Sequence, residues 1–136
     1  MSDTTQQTQS SSWAKQIFAI TLFAEDLEAT KLFYQKVFGL PVMFEDANSA
    51  VFEFGKTLIN LLRATEAPEL VAPATLATPA AGARHVFTIS VDDVDAMCAT
   101  LAERGVVLLN GPMNRPWGIR TASFKDPAGN IWEIAK

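Results

Sequence analysis

Few side chains in this 136-residue sequence could do chemistry, and one carboxylate stands out among them. Glu133 alternates with apolar neighbours in the segment IWEI, a pattern typical of a strand that buries one face and leaves the other open. An open carboxylate can bind a metal, accept a hydrogen bond from a ligand or act as a general base. The only cysteine, Cys98, falls on the inward face of a predicted helix, where a thiol is usually buried filler. Glu133 is therefore the first candidate for a catalytic role.

Trp117 and the two arginines near it form a second candidate group. Trp117 follows Pro116 in a predicted loop, where its ring could either cover a ligand or pack into the core. Arg115 and Arg120 flank Trp117 and could select an anionic or planar ligand, although isolated arginines near loops are usually solvated. We keep Trp117 and Arg120 as candidate ligand-binding residues.

Composition and charge exclude several classes of function. The formal net charge is −4, the isoelectric point is about 4.9, and Lys and Arg are scattered, so we do not expect nucleic acid as a partner. No apolar run approaches the roughly 18 residues that a membrane helix needs, so we expect no membrane partner. A single cysteine rules out an internal disulfide, and the N-terminus lacks the features of a secretion signal. These features predict a cytoplasmic protein.

The elements that must position these residues repeat once along the chain. Residues 1–12 are polar and without apolar periodicity, which predicts a disordered tail. Residues 13–136 are predicted to form a single domain with three parts. These parts are module one at about 16–62, a linker rich in Pro and Ala at about 63–83, and module two at about 84–136.

Each module combines one predicted helix with four predicted strands. Asp26 and Asp93 are suitable N-caps, and Gly39 and Gly105 are suitable C-terminal stops, so the two helices match in length and position. This match indicates an internal duplication of a βαβββ unit. Three consecutive strands per helix favour an α+β fold over a doubly wound one. The predicted strands are Ile17–Phe23, Pro41–Phe44, Ala50–Phe54 and Thr57–Leu62, then Val86–Val91, Val106–Leu109, Ile119–Phe124 and Ile131–Ala135.

Several short motifs occur in an order that is similar to one known family. They are DLE (26–28), FY (33–34) and FGL (38–40) in module one, then VDDVDA (91–96), PWG (116–118) and DPAGN (126–130) followed by Glu133 in module two. In this order they resemble the vicinal oxygen chelate superfamily, which contains glyoxalase I, bleomycin-resistance proteins and extradiol dioxygenases. The resemblance implies two βαβββ modules whose curved mixed sheets form a cleft, with helices on the outer face. Asp126 belongs to a turn and is predicted to have a structural role.

The resemblance also implies where a divalent metal would be held. The ligand on the first strand of each module is expected seven residues before the capping Asp, which is Ala19 or Val86, and neither has a donor. His85, the only histidine, misses its position by one residue, which turns a strand side chain to the other face unless a β-bulge intervenes. On the closing strands the ligand positions fall on Asn60 and Glu133. We therefore expect no cofactor, and if a metal is bound, Glu133 and His85 are the first ligands to consider.

Two functional hypotheses follow from these residues and the resemblance. The first is a homodimer that binds a small hydrophobic or aromatic ligand, as bleomycin-resistance-type relatives do. The second is a metal-dependent lyase, isomerase or dioxygenase of the glyoxalase type, and the fold alone does not decide between them. Strand parity and loop position select the expected ligand contacts, which are Thr21, Phe23, Asn60, Trp117, Arg120 and Glu133.

Overall fold

Eight strands and three α-helices are found in the computed structural model, which describes residues 13–136. The predicted tail at 1–12 lies outside the described residues. Module one contains β1 (Ala19–Ala24), α1 (Leu27–Val37), β2 (Val42–Glu45), β3 (Ser49–Phe54) and β4 (Thr57–Arg63). The linker contains α2 (Ala67–Val71) and short 3-10 helices at Ala64–Glu66 and Pro79–Ala81. Module two contains β5 (Val86–Ser90), α3 (Val94–Glu103), β6 (Asn110–Asn114), β7 (Arg120–Lys125) and β8 (Ile131–Ala135).

The strands form two sheets with the same topology. The first sheet has the order β1-β4-β3-β2 and the second has the order β5-β8-β7-β6. In each sheet the first strand of the module pairs in parallel with the last, and the other pairs are antiparallel. The predicted α+β fold of two βαβββ modules is therefore confirmed. No helix within residues 13–136 is both long and apolar enough to cross a membrane.

The predicted position of the sixth strand is wrong. The apolar run Val106–Leu109 predicts a strand, whereas β6 begins only at Asn110. The backbone N–H of Val106 donates to the carbonyl oxygen of Leu101 at 3.0 Å and so completes the end of α3. Because this residue is committed to the helix end, pairing with β7 starts farther along the chain.

Both long helices begin at the capping residues that the sequence predicts. The side chain of Asp26 accepts a hydrogen bond from the backbone N–H of Ala29, and Asp93 accepts one from Ala96, each at 3.0 Å. Each bond satisfies one of the free donors at a helix N-terminus. The two modules therefore share the same capping hydrogen bond at the start of the helix.

The helix α1 lies between the two sheets and joins them in one core. Tyr34 stacks on Phe52 of β3 with 5.8 Å between ring centroids, and it contacts Trp132 of β8 edge-on at 6.0 Å. Phe38, at the end of the same helix, meets Trp132 at 5.0 Å and Phe124 of β7 at 6.0 Å. Each such aromatic pair contributes about 0.5–1.5 kcal/mol beyond its buried area. Because each sheet turns its buried face toward α1, the opposite faces of the two sheets point away from each other.

A buried hydrogen-bond network fixes the hairpin between β7 and β8. The Oδ1 atom of Asp126 accepts from the backbone N–H groups of Ala128 and Asn130, both at 2.9 Å. Its Oδ2 atom accepts from the hydroxyl of Tyr34 at 2.8 Å, and that hydroxyl accepts from the indole N–H of Trp132 at 3.0 Å. Burial, followed by the negative charge of Asp126, raises the pKa of Tyr34 far above its usual value, so the hydroxyl remains a donor. These contacts support the structural role of Asp126.

Candidate functional site

The face of each sheet that points away from the shared core, here called the open face, carries one polar pair. Thr21 on β1 pairs in register with Asn60 on β4, and the Nδ2 atom of Asn60 donates to the Thr21 hydroxyl at 3.3 Å. Thr88 on β5 pairs in register with Glu133 on β8, and the Thr88 hydroxyl donates to Oε1 of Glu133 at 2.8 Å. The two pairs occupy equivalent positions, but only the pair in module two includes a carboxylate.

The surroundings of the two pairs differ in polarity. Across the sheet, the neighbour of Asn60 on β3 is Val51, whereas the neighbour of Glu133 on β7 is Ser123. The open face of sheet one is mainly apolar, with Phe23, Phe44, Val51, Leu58 and Leu62, but it also carries the carboxylate of Glu53 opposite Leu58. The open face of sheet two carries the hydroxyl side chains of Thr88, Ser90, Thr121 and Ser123 beside Glu133, with Val86 and Ile131 at one end.

Asn60 and Glu133 do not converge on one cleft within a single chain. Each lies on the open face of its own sheet, and the two open faces point away from each other on either side of α1. The structure therefore brings Thr21 to Asn60 and Thr88 to Glu133, but it separates the two pairs. A site that uses both pairs needs a second copy of the chain.

Arg115 brings a positive charge to the open face of sheet two. Its Nε atom donates to the hydroxyl of Thr121 at 2.8 Å, and its Nη2 atom donates to Oδ1 of Asn110 at 3.1 Å. Its guanidinium carbon lies 5.9 Å from the centre of the Trp117 ring, a cation–π distance. Trp117 is 68% exposed in the turn between β6 and β7, so its ring is outside the core.

Arg120 lies on the other face of β7. It precedes Thr121 in the strand and so points to the helix side, where Nε and Nη2 both donate to the Asp95 carboxylate at 2.9 Å. These hydrogen bonds lower the pKa of Asp95. Arg120 therefore connects β7 to α3 and is remote from the face of Glu133. Arg115, and not Arg120, is therefore the arginine of the candidate site.

His85 and Phe23 line one cavity beside the linker, and Glu133 is not part of its lining. The ring of His85 lies 4.6 Å from that of Phe87, which packs on Trp132 on the face opposite to Glu133. The pairing of β5 with β8 is regular from Val86 to Ser90, and the contact with Phe87 puts His85 on the face opposite to Glu133. This cavity has a volume of about 220 Å³ and is also lined by residues 76–79 and 82–84.

The donors on the open faces do not fit a tightly held divalent metal. Such a site needs several oxygen or imidazole ligands that converge on one point. Ala19 and Val86 have no donor atoms, and Asn60 is a neutral amide that is already bonded to a threonine. Within the described range 13–136, no three His, Cys, Asp or Glu side chains form a cluster that could hold an ion. Glu133 is the one strong donor at the expected ligand positions.

Sequence reasoning misses Thr88, and of the two arginines that flank Trp117 it keeps Arg120 rather than Arg115. The duplication contains a signal for Thr88, because Thr21 and Thr88 each precede a helix-capping Asp by five residues. Arg115 follows a register shift in β6 between Asn110 and Met113, so the alternation of side chains along the sequence does not give its direction.

Comparison with known sequences identifies the family. A family model described as the Glyoxalase/Bleomycin resistance protein/Dioxygenase superfamily matches residues 16–134. The uncharacterized protein YraH of Bacillus subtilis is 32% identical over 124 residues, which cover 88% of this chain and 97% of that protein. A virulence protein of Salmonella typhimurium is 25% identical over 120 residues, which cover 86% of this chain and 81% of that protein.

Comparison with solved structures gives the same fold. A glyoxalase/bleomycin resistance protein/dioxygenase from Nocardioides has a TM-score of 0.79 and 25% identity, and the match covers 92% of this chain and 85% of that chain. A lactoylglutathione lyase from Agrobacterium tumefaciens has a TM-score of 0.72 and 23% identity, with 90% and 93% covered. The second similarity shows the fold alone.

Proposed function

Because this chain belongs to the glyoxalase/bleomycin resistance protein/dioxygenase superfamily, we propose that it is a cytoplasmic protein that binds a small hydrophobic or aromatic ligand without a complete metal site. The observation that carries this proposal is the contrast between the open faces. The face around Asn60 is mainly apolar, with Glu53 opposite Leu58, and the other face offers Glu133 next to hydroxyl groups. Sites for small molecules combine an apolar lining with a few polar groups in this way.

We propose that two copies of the chain complete the cleft. The strands β1 and β5 are each hydrogen-bonded to one neighbour only, so both leave a free edge. Pairing β1 of one copy with β5 of the other would place Asn60 and Thr21 opposite Glu133 and Thr88. Sedimentation equilibrium should give twice the chain mass of 14.8 kDa at micromolar concentration, and a monomer would contradict the dimer.

In this cleft Glu133 anchors the polar group of the ligand, and Trp117 covers its apolar body. Glu133→Gln keeps the shape but removes the charge, so binding should weaken by about 1.5–3 kcal/mol, the contribution of a hydrogen bond to a charged group. Trp117→Ala should weaken binding through lost contact area. The measurement is calorimetric titration with a compound found by screening aromatic molecules and conjugated thiols. If both variants bind it as tightly as the parent, the pocket lies elsewhere.

The second candidate function is an enzyme of the glyoxalase type, and Glu133 is the observation that favours it. An open-face carboxylate hydrogen-bonded only to a hydroxyl among the described side chains can serve as a general base. Glu133→Gln would then abolish turnover of a thiohemiacetal or catechol while leaving its binding unchanged. That result would replace the binding function with a catalytic one.

Metal analysis separates these two functions directly. We expect the purified protein to hold no stoichiometric divalent ion, because Glu133 is the one strong donor at the ligand positions. About one Zn, Ni, Mn or Fe per chain, removed by a chelator with loss of activity, would contradict this expectation. The metal content of Glu133→Ala is the matched control. If Glu133 is a ligand of a genuine site, this variant should lose the ion.

A further inference from the structure

Among residues 13–136, the side chain of Arg115 is held by neutral hydrogen-bond partners and has no carboxylate paired with it. Thr121 and Asn110 accept its two hydrogen bonds, and neither carries a negative charge. Within residues 13–136 the ion pairs involve Lys31 and Arg120, and no Asp or Glu pairs with Arg115. A charge fixed in this way is available to a ligand.

The free edge of the guanidinium has the geometry of an oxyanion receptor. Arginine has five N–H donors in a planar fork, and the two bonds of Arg115 use Nε and one N–H of Nη2. Both N–H groups of Nη1 and the second of Nη2 are unused by the described protein atoms. Two parallel donors on one edge match the two oxygens of a carboxylate or sulfonate.

Glu133 lies on the same face at a distance that suits the other end of a small molecule. Asn110 pairs with Ser123, and Ser123 pairs with Glu133, so Arg115 is bonded two strands away from the carboxylate. Adjacent strands are about 4.8 Å apart, which puts Asn110 roughly 10 Å from Glu133. A ligand with an anionic end and a hydrogen-bond donor at opposite sides of an aromatic body spans this distance.

We infer that Arg115 selects ligands that carry a carboxylate or sulfonate group. The inference rests on the proposed binding function and adds the charge of the ligand to it. Trp117 stacks beside the same guanidinium, so the aromatic body lies against the ring while the oxyanion meets the fork.

Two fluorescent probes with the same aromatic body test this inference. 8-Anilinonaphthalene-1-sulfonate is an anion, and N-phenyl-1-naphthylamine is its neutral counterpart. Arg115→Gln should weaken binding of the sulfonate on the order of tenfold or more, because a bidentate charged contact is lost. Binding of the neutral probe should be unchanged. Arg120→Gln removes the same charge from the other face of β7 and should change neither affinity.

Arg115→Lys keeps a positive charge but loses the two parallel donors, so it should bind the sulfonate more tightly than Arg115→Gln and less tightly than the parent. This intermediate affinity would show that the loss in Arg115→Gln comes from the missing charge and not from a folding defect. Equal sulfonate affinity in the parent and Arg115→Gln would overturn the inference, as would an equal loss for both probes. If the parent binds the neutral probe in a Trp117-dependent way but prefers no anion, the inference alone fails. If the parent binds neither probe, the proposed function fails with it.

Discussion

The two open faces of this molecule are built on one backbone plan and carry different chemistry. Asn60 and Glu133 occupy equivalent positions, and each is hydrogen-bonded to a threonine on the adjacent parallel strand. Around Asn60 the face is mainly apolar, with Glu53 opposite Leu58, whereas around Glu133 it holds hydroxyl groups and Arg115. The buried faces must keep a shared core, but the open faces are free to diverge. We therefore expect the function of this chain to depend on the differences between the modules.

Two hairpin turns that are each closed by an aspartate differ in burial, and disrupting the buried one should have the largest effect. Asp126, between β7 and β8, is buried and accepts from the backbone N–H groups of Ala128 and Asn130, whereas Asp46, between β2 and β3, is exposed and accepts from the backbone N–H of Asn48. Asp126→Ala leaves the buried hydroxyl of Tyr34 without its acceptor and also frees the half-buried N–H groups of Ala128 and Asn130. The buried donor alone costs about 1–3 kcal/mol, so unfolding should be easier by at least about that amount. Asp46→Ala, the matched control, should change the free energy of unfolding little. Urea denaturation measures both, and equal losses would contradict the difference between the hairpins.

The second prediction compares the two open-face pairs in ligand binding. Asn60→Ala removes a neutral hydrogen-bonding group and should weaken binding by about 0.5–1.5 kcal/mol, less than the effect of Glu133→Gln. Titration of both variants with the same compound shows which module contributes more to the free energy of binding. A larger loss for Asn60→Ala would mean that sheet one, and not sheet two, anchors the polar group of the ligand.

The third prediction concerns alkaline pH and the core between the modules. The pKa of Tyr34 is raised on folding from its usual value of 10.0, so its neutral form is favoured in the folded state. Its contribution to stability is therefore fully present below the unfolded pKa and is lost as the pH rises above it. Thermal unfolding at increasing pH should show this loss in the parent, and Tyr34→Phe should reduce it. Because Tyr34 is the only tyrosine, titration of the tyrosine absorbance in the ultraviolet follows the ionisation of this one hydroxyl. Ionisation near pH 10 in the folded protein would contradict its burial.

The sequence predicts most of the fold and about half of the candidate site, for physical reasons. Caps such as Asp26 and Asp93 act locally, so their spacing is enough to locate the helices. The position of β6 depends on how α3 ends, and the direction of Arg115 depends on a register shift between β6 and β7, and neither is visible in the alternation of side chains along the sequence. The back-to-back packing of the sheets follows from aromatic contacts of α1 that no pattern in one module contains.

A subunit-mixing experiment tests the central claim, which is that each cleft combines sheet one of one chain with sheet two of another. Asn60→Trp and Glu133→Trp should each block both clefts of their own homodimers. After the two variants are unfolded together and refolded at equal amounts, half of the dimers are mixed, and each mixed dimer has one cleft free of both blocks. Titration with N-phenyl-1-naphthylamine should then recover about one quarter of the parental sites. No recovery from the refolded mixture would contradict a shared cleft.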